Sequence, residues 1–178
     1  MTDMEILELA QEAGFRAAML DPQEIPVDGK FRAFCEENLC GQYGANYACP
    51  PDCGTVEELH SKLLAQKKVL VLQTLHEIGS YENKPAVNQA RVSHNSAVLS
   101  LMEKLQEAGF TGFCSGYNGC PLCTTCKRKE NLPCVHPDKQ ISCMSAYCID
   151  VAKLAEKCDM KFAWTPEKLH LFGMIAFQ

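Results

Sequence analysis

The sequence of 178 residues has no apolar run approaching the roughly 20 residues that a membrane-spanning helix requires, so a helical membrane protein is excluded. Its start, Met1-Thr2-Asp3-Met4-Glu5, lacks the basic segment and following apolar stretch of a secretory leader, and a cytoplasmic protein is expected. Positive charge is also scarce. The net charge of -5 offers no long-range attraction to nucleic acid, and the only dense basic run is Lys127-Arg128-Lys129. Nucleotide-binding signatures are missing: Gly112, Gly116 and Gly119 do not form a G-x-G-x-x-G fingerprint, and no Walker sequence occurs. Cys49-x3-Cys53 matches the first step of a radical-SAM triad, but no cysteine follows two residues later, which sets that class aside.

Cysteine, by contrast, is abundant, with twelve residues. In a reducing compartment thiols persist as metal ligands, catalytic groups or small buried hydrophobes, so a metal reading comes first. Cys120, Cys123, Cys126 and Cys134 form a C-x2-C-x2-C-x7-C run. Two-residue gaps let one short loop present three thiolates to three irons of a cubane while a more distant cysteine closes the cage. Structural zinc sites more often use two separated C-x2-C knuckles, which makes zinc the alternative. A thioredoxin-type dithiol is a poorer match, because a C-x-x-C redox pair belongs at a helix start and does not call for a third cysteine. Gly116 and Gly119 permit positive φ angles through which N–H groups can face sulfur. The adjacent basic run can offset an anionic cluster or dock an acidic carrier, or else is a solvated turn. His136 is a candidate fourth zinc ligand or a hydrogen-bond donor to sulfur.

A second cysteine-rich stretch lies earlier, as Cys35-x4-Cys40-x8-Cys49-Pro50-Pro51-Asp52-Cys53. Proline after a ligand stiffens such a loop and removes a competing donor. Cys114 and Cys158 fall at the ends of a predicted strand and helix and read as buried small hydrophobes. Cys143 and Cys148 read as packed or free thiols, with a reserve-ligand role as the alternative. His60, His76, His94 and His170 share no motif.

The composition, 47% hydrophobic, suits one domain spanning residues 1–178. Thr2/Glu5 and Thr55/Glu58 are capping-box pairs opening two helices. The periodic apolar residues between Val87 and Ala108 predict a third, and Ile149 to Lys157 a fourth. Predicted strands cover Phe15 to Leu20, Val69 to Leu72, Phe110 to Cys114, Met160 to Trp164 and Leu169 to Phe177, the last two joined by a turn at Thr165-Pro166-Glu167-Lys168. Helical crossovers between strands predict an α/β sandwich with a mostly parallel mixed sheet and a C-terminal antiparallel edge strand. Both cysteine loops leave strand carboxyl ends, after Leu20 and after Cys114, and are expected on the same side. Gln11-Glu12-Ala13-Gly14-Phe15 recurs as Gln106-Glu107-Ala108-Gly109-Phe110, through duplication or through a shared way of stopping a helix.

The stretch Cys35 to Gly44, Cys49-Pro50-Pro51, the Cys120/Cys123/Cys126 triple, Pro133-Cys134 with Pro137, Tyr147 with Ile149, and Leu171-Phe172-Gly173 together resemble a prokaryotic family, mainly of anaerobes, of uncharacterised cysteine-rich predicted metal-binding proteins. The resemblance spans most of the chain. It implies metal binding without a known reaction, and its pattern falls on Cys35, Cys40, Cys49 and the four second-loop cysteines. Cys53, Cys114, Cys143, Cys148 and Cys158 lie outside it, with Cys143 and Cys148 where Ser and Gly are usual.

The combined expectation is an iron–sulfur protein that passes electrons between partners. One or two [4Fe-4S] clusters would be held by Cys120, Cys123, Cys126 and Cys134, and by Cys35, Cys40 and Cys49 with Cys53 as the candidate fourth ligand. A flavodoxin- or ferredoxin-type redox partner is expected, without nucleic acid or membrane. The alternatives are a zinc-stabilised interaction module and an enzyme using an open iron. The sequence leaves the oligomeric state open.

Overall fold

The computed structural model describes residues 1–163 and 165–178. Helix α1 (Asp3–Glu12) opens with Thr2 accepting from the Glu5 N–H while the Glu5 carboxylate accepts from the Thr2 N–H, the reciprocal pairing its sequence predicts. It stops at Gly14, with φ +89°, and the Phe15 N–H returns to the Ala10 carbonyl. Strand β1 (Arg16–Leu20) follows directly. The first cysteine loop carries a short helix α2 (Arg32–Glu36) and leads to α3 (Val56–Leu64), which opens with the same capping box at Thr55 and Glu58. Then come β2 (Lys68–Glu77), the long α4 (Lys84–Glu107) and β3 (Gly112–Gly116). The second cysteine loop ends at the two-residue β4 (Ser142–Cys143), before α5 (Val151–Lys157) and β5 (Lys168–Phe177).

The repeated pentapeptide is a repeated stop. At both ends of the chain segment it marks, glycine takes positive φ (Gly14 +89°, Gly109 +93°), and Phe15 and Phe110 donate to the carbonyls of Ala10 and Leu105. The same six-to-one closure is thus used twice, and local helix-stop chemistry accounts for the echo.

Among the described residues five strands form one mixed sheet in the order β1-β2-β5-β3-β4, inside a three-layer α/β sandwich. The helices α1 and α4 cover one face, around Ile6, Leu70, Leu72, Val98, Leu101, Leu105 and Ile175. The helices α3 and α5 cover the other, around Leu59, Leu63, Val69, Val71, Leu154, Phe172 and Met174. Val69 to Leu72 are each 0% exposed and alternate between the two cores, and burying each such side chain contributes about 1.5–3 kcal/mol. Among the described residues no helix is long and apolar enough to cross a membrane.

Two features of the sheet differ from expectation. It is mostly antiparallel, with β3 and β4 as its one parallel pair, and β5 lies in the interior between β2 and β3 rather than at an edge. The cause is the burial of β5 on both faces: Leu171 and Met174 to Ala176 are 0% exposed, which only a central strand achieves. The crossover through α4 joins β2 to β3, which run parallel to each other, and it spans the slot that β5 fills in antiparallel sense. Residues 160–163 form no strand, and Trp164, the predicted end of that strand, lies outside the described residues. The turn closed by the Thr165–Lys168 bridge feeds β5 directly.

Where α4 crosses β5, Gly173 permits the contact. A β-carbon there would lie 2.8 Å from the Ser115 carbonyl oxygen and 3.1 Å from both His94 Nε2 and Val98 Cγ2. His94 is 0% exposed, and its Nδ1 shares a hydrogen with Thr74 Oγ1 at 2.7 Å. The Thr74 hydroxyl lies 2.9 Å from His76 Nε2. Burial pushes the His94 pKa down from 6.5 to about 4.

Gly173→Ala is expected to cost about 1–3 kcal/mol, read as a lower melting temperature, because backbone oxygen lies on one side of the new methyl and a packed helix on the other. A pH effect follows from His94. The unfolded chain takes up a proton at this residue near pH 6.5 and the folded one only near pH 4, so stability rises with pH through that window and is lost as pH falls through it. Urea-unfolding midpoints should therefore drop between pH 7 and pH 4.5 more steeply in the wild type than in His94→Gln, the difference being at most about 3 kcal/mol.

Candidate metal centre

The two cysteine loops are neighbours, as the sequence suggests, though by another route. Because β1 and β3 run antiparallel to each other, their carboxyl ends lie at opposite ends of the sheet. The first loop therefore crosses the sheet face covered by α3 and α5. Ile25 is buried in that core, Val27 bridges to Ile149, and the Asp28 N–H donates to the Cys148 carbonyl at 2.8 Å. Arg32 then donates to the carbonyls of Gly54 and Ala146 at 3.2 and 3.1 Å, fixing the loop's exit against the segment after β4.

The second loop is anchored by Asn95 on α4, 1% exposed. Its Nδ2 donates to the carbonyls of Tyr117 and Gly119 at 2.8 and 3.1 Å, and its Oδ1 accepts from the Tyr117 N–H at 2.8 Å. Gly116 ends β3 flush against this amide, where no side chain fits. Gly119, at φ +87°, turns the chain into Cys120 and lies under Gln42 of the first loop. Further bonds join the loops: Tyr47 Oη donates to the Leu132 carbonyl at 2.7 Å, and Arg128 Nε lies 2.9 Å from both Asp52 carboxylate oxygens. Lys127 is paired with Glu130 at 2.9 Å, so two of the three residues in the basic run are engaged within the protein.

Cys120, Cys123, Cys126 and Cys134 line one pocket, together with His136 and the Asn46–Ala48 turn of the first loop. Burial raises the Cys120 pKa, opposed by the N–H groups of Leu122 and Ile141 directed at its sulfur. Sulfur-directed N–H groups of this kind stabilise thiolates bound to metal. Four thiols and an imidazole around one pocket suit an iron–sulfur cluster or zinc by donor chemistry alone.

The first-loop cysteines divide. Cys35 and Cys49 lie within electrostatic range of Cys143, which the sequence reads as a packed or free thiol with a reserve-ligand role as the alternative. The neighbouring Cys35 and Cys143 thiols influence each other, which raises the Cys35 pKa and lowers that of Cys143. Burial pushes Cys49, 3% exposed, up to about 12. Cys40 is exposed and lies within electrostatic range of Cys49. Cys53 packs against the α3/α5 core, its thiol 3.9 Å from the Gly54 carbonyl. No sequence spacing flags Cys143, whose partners are more than ninety positions away; the one available signal is that it follows the second loop closely. Cys114 and Cys158 are held by core packing, with burial raising their pKa values to about 12 and about 11. Cys148, 0% exposed, faces the Gly29 carbonyl. Among the described residues no three His, Cys, Asp or Glu side chains stand close enough to grip a single ion as they are.

A family model described as "Predicted metal-binding protein (DUF2284)" matches residues 18–177. No curated protein and no solved structure matches the chain.

Asn95→Leu, close in size, leaves the Tyr117 N–H and two loop carbonyls without their buried partner. It is expected to destabilise the protein by about 2–4 kcal/mol and to lower the metal retained by the second loop, checked by thermal melting and metal analysis of the same preparation.

Proposed function

Since the chain belongs to the DUF2284 family of predicted metal-binding proteins, we propose that it is an iron–sulfur protein that relays electrons. In this reading Cys120, Cys123, Cys126 and Cys134 hold a [4Fe-4S] cluster. The observation that supports it is the gathering of these four residues, three of them spaced by two, around one pocket. When bound, such a cluster accepts and donates single electrons at a potential set by its surroundings.

The chain's own groups serve that chemistry in separate ways. Asn95 fixes where the ligand loop begins, and the N–H groups of Leu122 and Ile141 stabilise negative charge on the Cys120 sulfur. The Asn46–Ala48 turn, itself held by the Asn46 side chain accepting from the Ala48 N–H at 3.0 Å, walls the pocket from the first-loop side. Leu132 and Val135, both exposed, flank Cys134 and offer a small apolar contact. The proposed carrier is an acidic protein of the flavodoxin or ferredoxin type. It would meet that contact beside Lys129, while Lys127 and Arg128 remain partly compensated by Glu130 and Asp52. A weak, partly charged interface suits transient electron exchange.

Zinc is the second reading, favoured by His136, which lines the same pocket and can complete a Cys3His set. Its role would be to supply folding free energy without redox chemistry. The two readings separate on one preparation. Protein purified and reconstituted without oxygen should contain iron and acid-labile sulfide, with broad visible absorption that bleaches on dithionite reduction. Stoichiometric zinc without sulfide would overturn the iron–sulfur reading.

A further inference from the structure

We propose that the cavity at the open edge of β3 is a binding site for a small monocarboxylate with an apolar body. The site is separate from the metal pocket and does not rest on the function proposed above.

The edge is open because of how β3 is paired. Thr111 and Gln178 exchange both backbone hydrogen bonds, at 3.2 and 2.9 Å, so the alternate residues Phe113 and Ser115 face β5, and Gly112 and Cys114 direct their N–H groups the other way. On that side β4 begins only at Ser142, opposite Ser115, and among the described residues no strand accepts from the Gly112 and Cys114 N–H groups. A cavity of about 260 Å³ occupies this place, walled by residues of α3 and α4. It lies below the roughly 300–1,000 Å³ of sites for drug-sized molecules, so its ligand is small.

Two side chains at the cavity lack the partners that their chemistry calls for. Tyr147 is 3% exposed and stacks on Phe113, with ring centroids 5.2 Å apart and planes within 7° of parallel. A buried tyrosine hydroxyl ordinarily finds a hydrogen-bond partner. This one has none among the described residues, and Tyr147 lines the cavity. Lys62 sits on the same ring, its Nζ 4.4 Å from the Phe113 centroid, and among the described residues no carboxylate pairs with it. Phe113 thus brings an unpaired ammonium and an unpaired hydroxyl to one cavity.

Donors therefore prevail there: the ammonium, the hydroxyl and two backbone N–H groups. They call for a ligand rich in acceptors, and the unpaired cation calls for a negative one. Leu59, Leu99 and Met102 supply an apolar wall for the rest of the molecule. A second negative charge finds no cation. On the rim Lys139 is already bonded to Glu103 at 2.6 Å, and Asp138 adds an exposed carboxylate. The ligand is therefore a monoanion, and a carboxylate on a short apolar body meets these requirements.

Equilibrium dialysis of the full, metal-loaded chain against radiolabelled benzoate tests this. Benzoate should bind saturably, and about tenfold more weakly to Lys62→Met, which removes the charge and keeps an apolar stem. Tyr147→Phe, which takes one oxygen from a stacked ring, should weaken binding about fivefold. Benzyl alcohol, without the charge, and phthalate, with a second one, should each bind about tenfold more weakly than benzoate. Hydrogen exchange locates the site: the Gly112 and Cys114 amides should exchange more slowly with benzoate present. Absence of saturable benzoate binding below about 10 mM would overturn the inference. So would equal affinity in Lys62→Met or Tyr147→Phe, benzyl alcohol or phthalate binding as tightly as benzoate, or unchanged exchange at Gly112 and Cys114.

Discussion

A strand buried on both faces has to lie inside a sheet, and the architecture follows from β5 meeting that requirement. Its residues from Phe172 to Phe177 are shared between two cores, so β2 and β3 must stand apart to admit it, and α4 must be long enough to bridge the gap. That crossover brings His94 and Asn95 to the sheet together. His94 closes against Gly173 of the central strand, and Asn95 reaches past the end of β3 to hold the second loop. The ligand loop is therefore fastened to the same helix that covers the strand. Damage to the core beneath α4 is transmitted to the pocket through adjacent residues of one helix turn.

Local chemistry was legible in the sequence because its causes lie within a few residues. The capping pairs at Thr2/Glu5 and Thr55/Glu58, the glycine stops at Gly14 and Gly109, and the apolar run Val69 to Leu72 all take the forms that their neighbours dictate. The Cys120/Cys123/Cys126 triple belongs to the same class, since two-residue gaps constrain one loop. The strand order was not legible in this way. Helical crossovers suggest parallel neighbours, and nothing between Met160 and Lys168 announces that the next strand will be inserted between two earlier ones. The nearness of Cys143 to Cys35 and Cys49 was not legible for a related reason: it is created by a loop crossing a sheet face, over a separation that no motif spans. The nearness of the loops was expected from a parallel sheet and is produced instead by that crossing.

The electrostatics of the two cysteine groups differ in kind. Around Cys120 and Cys143 the backbone supplies N–H groups that favour a charged sulfur, whereas Cys49, Cys114 and Cys158 sit where burial keeps the thiol neutral. A cation placed against Cys49 removes the cost of its ionisation, because metal charge is the strongest local field in such a site. At Cys114 and Cys158, packed against the apolar cores, Lys62 and Lys157 offset burial only in part, and both remain small hydrophobes.

The contact between Arg128 and Asp52, with Tyr47 on the Leu132 carbonyl beside it, joins two segments that would otherwise fluctuate separately. Ordering one of them withdraws configurational freedom from the other in advance, so the entropy lost when the second loop settles is smaller than when it settles alone. Order in the first loop thus favours order in the second, and the reverse.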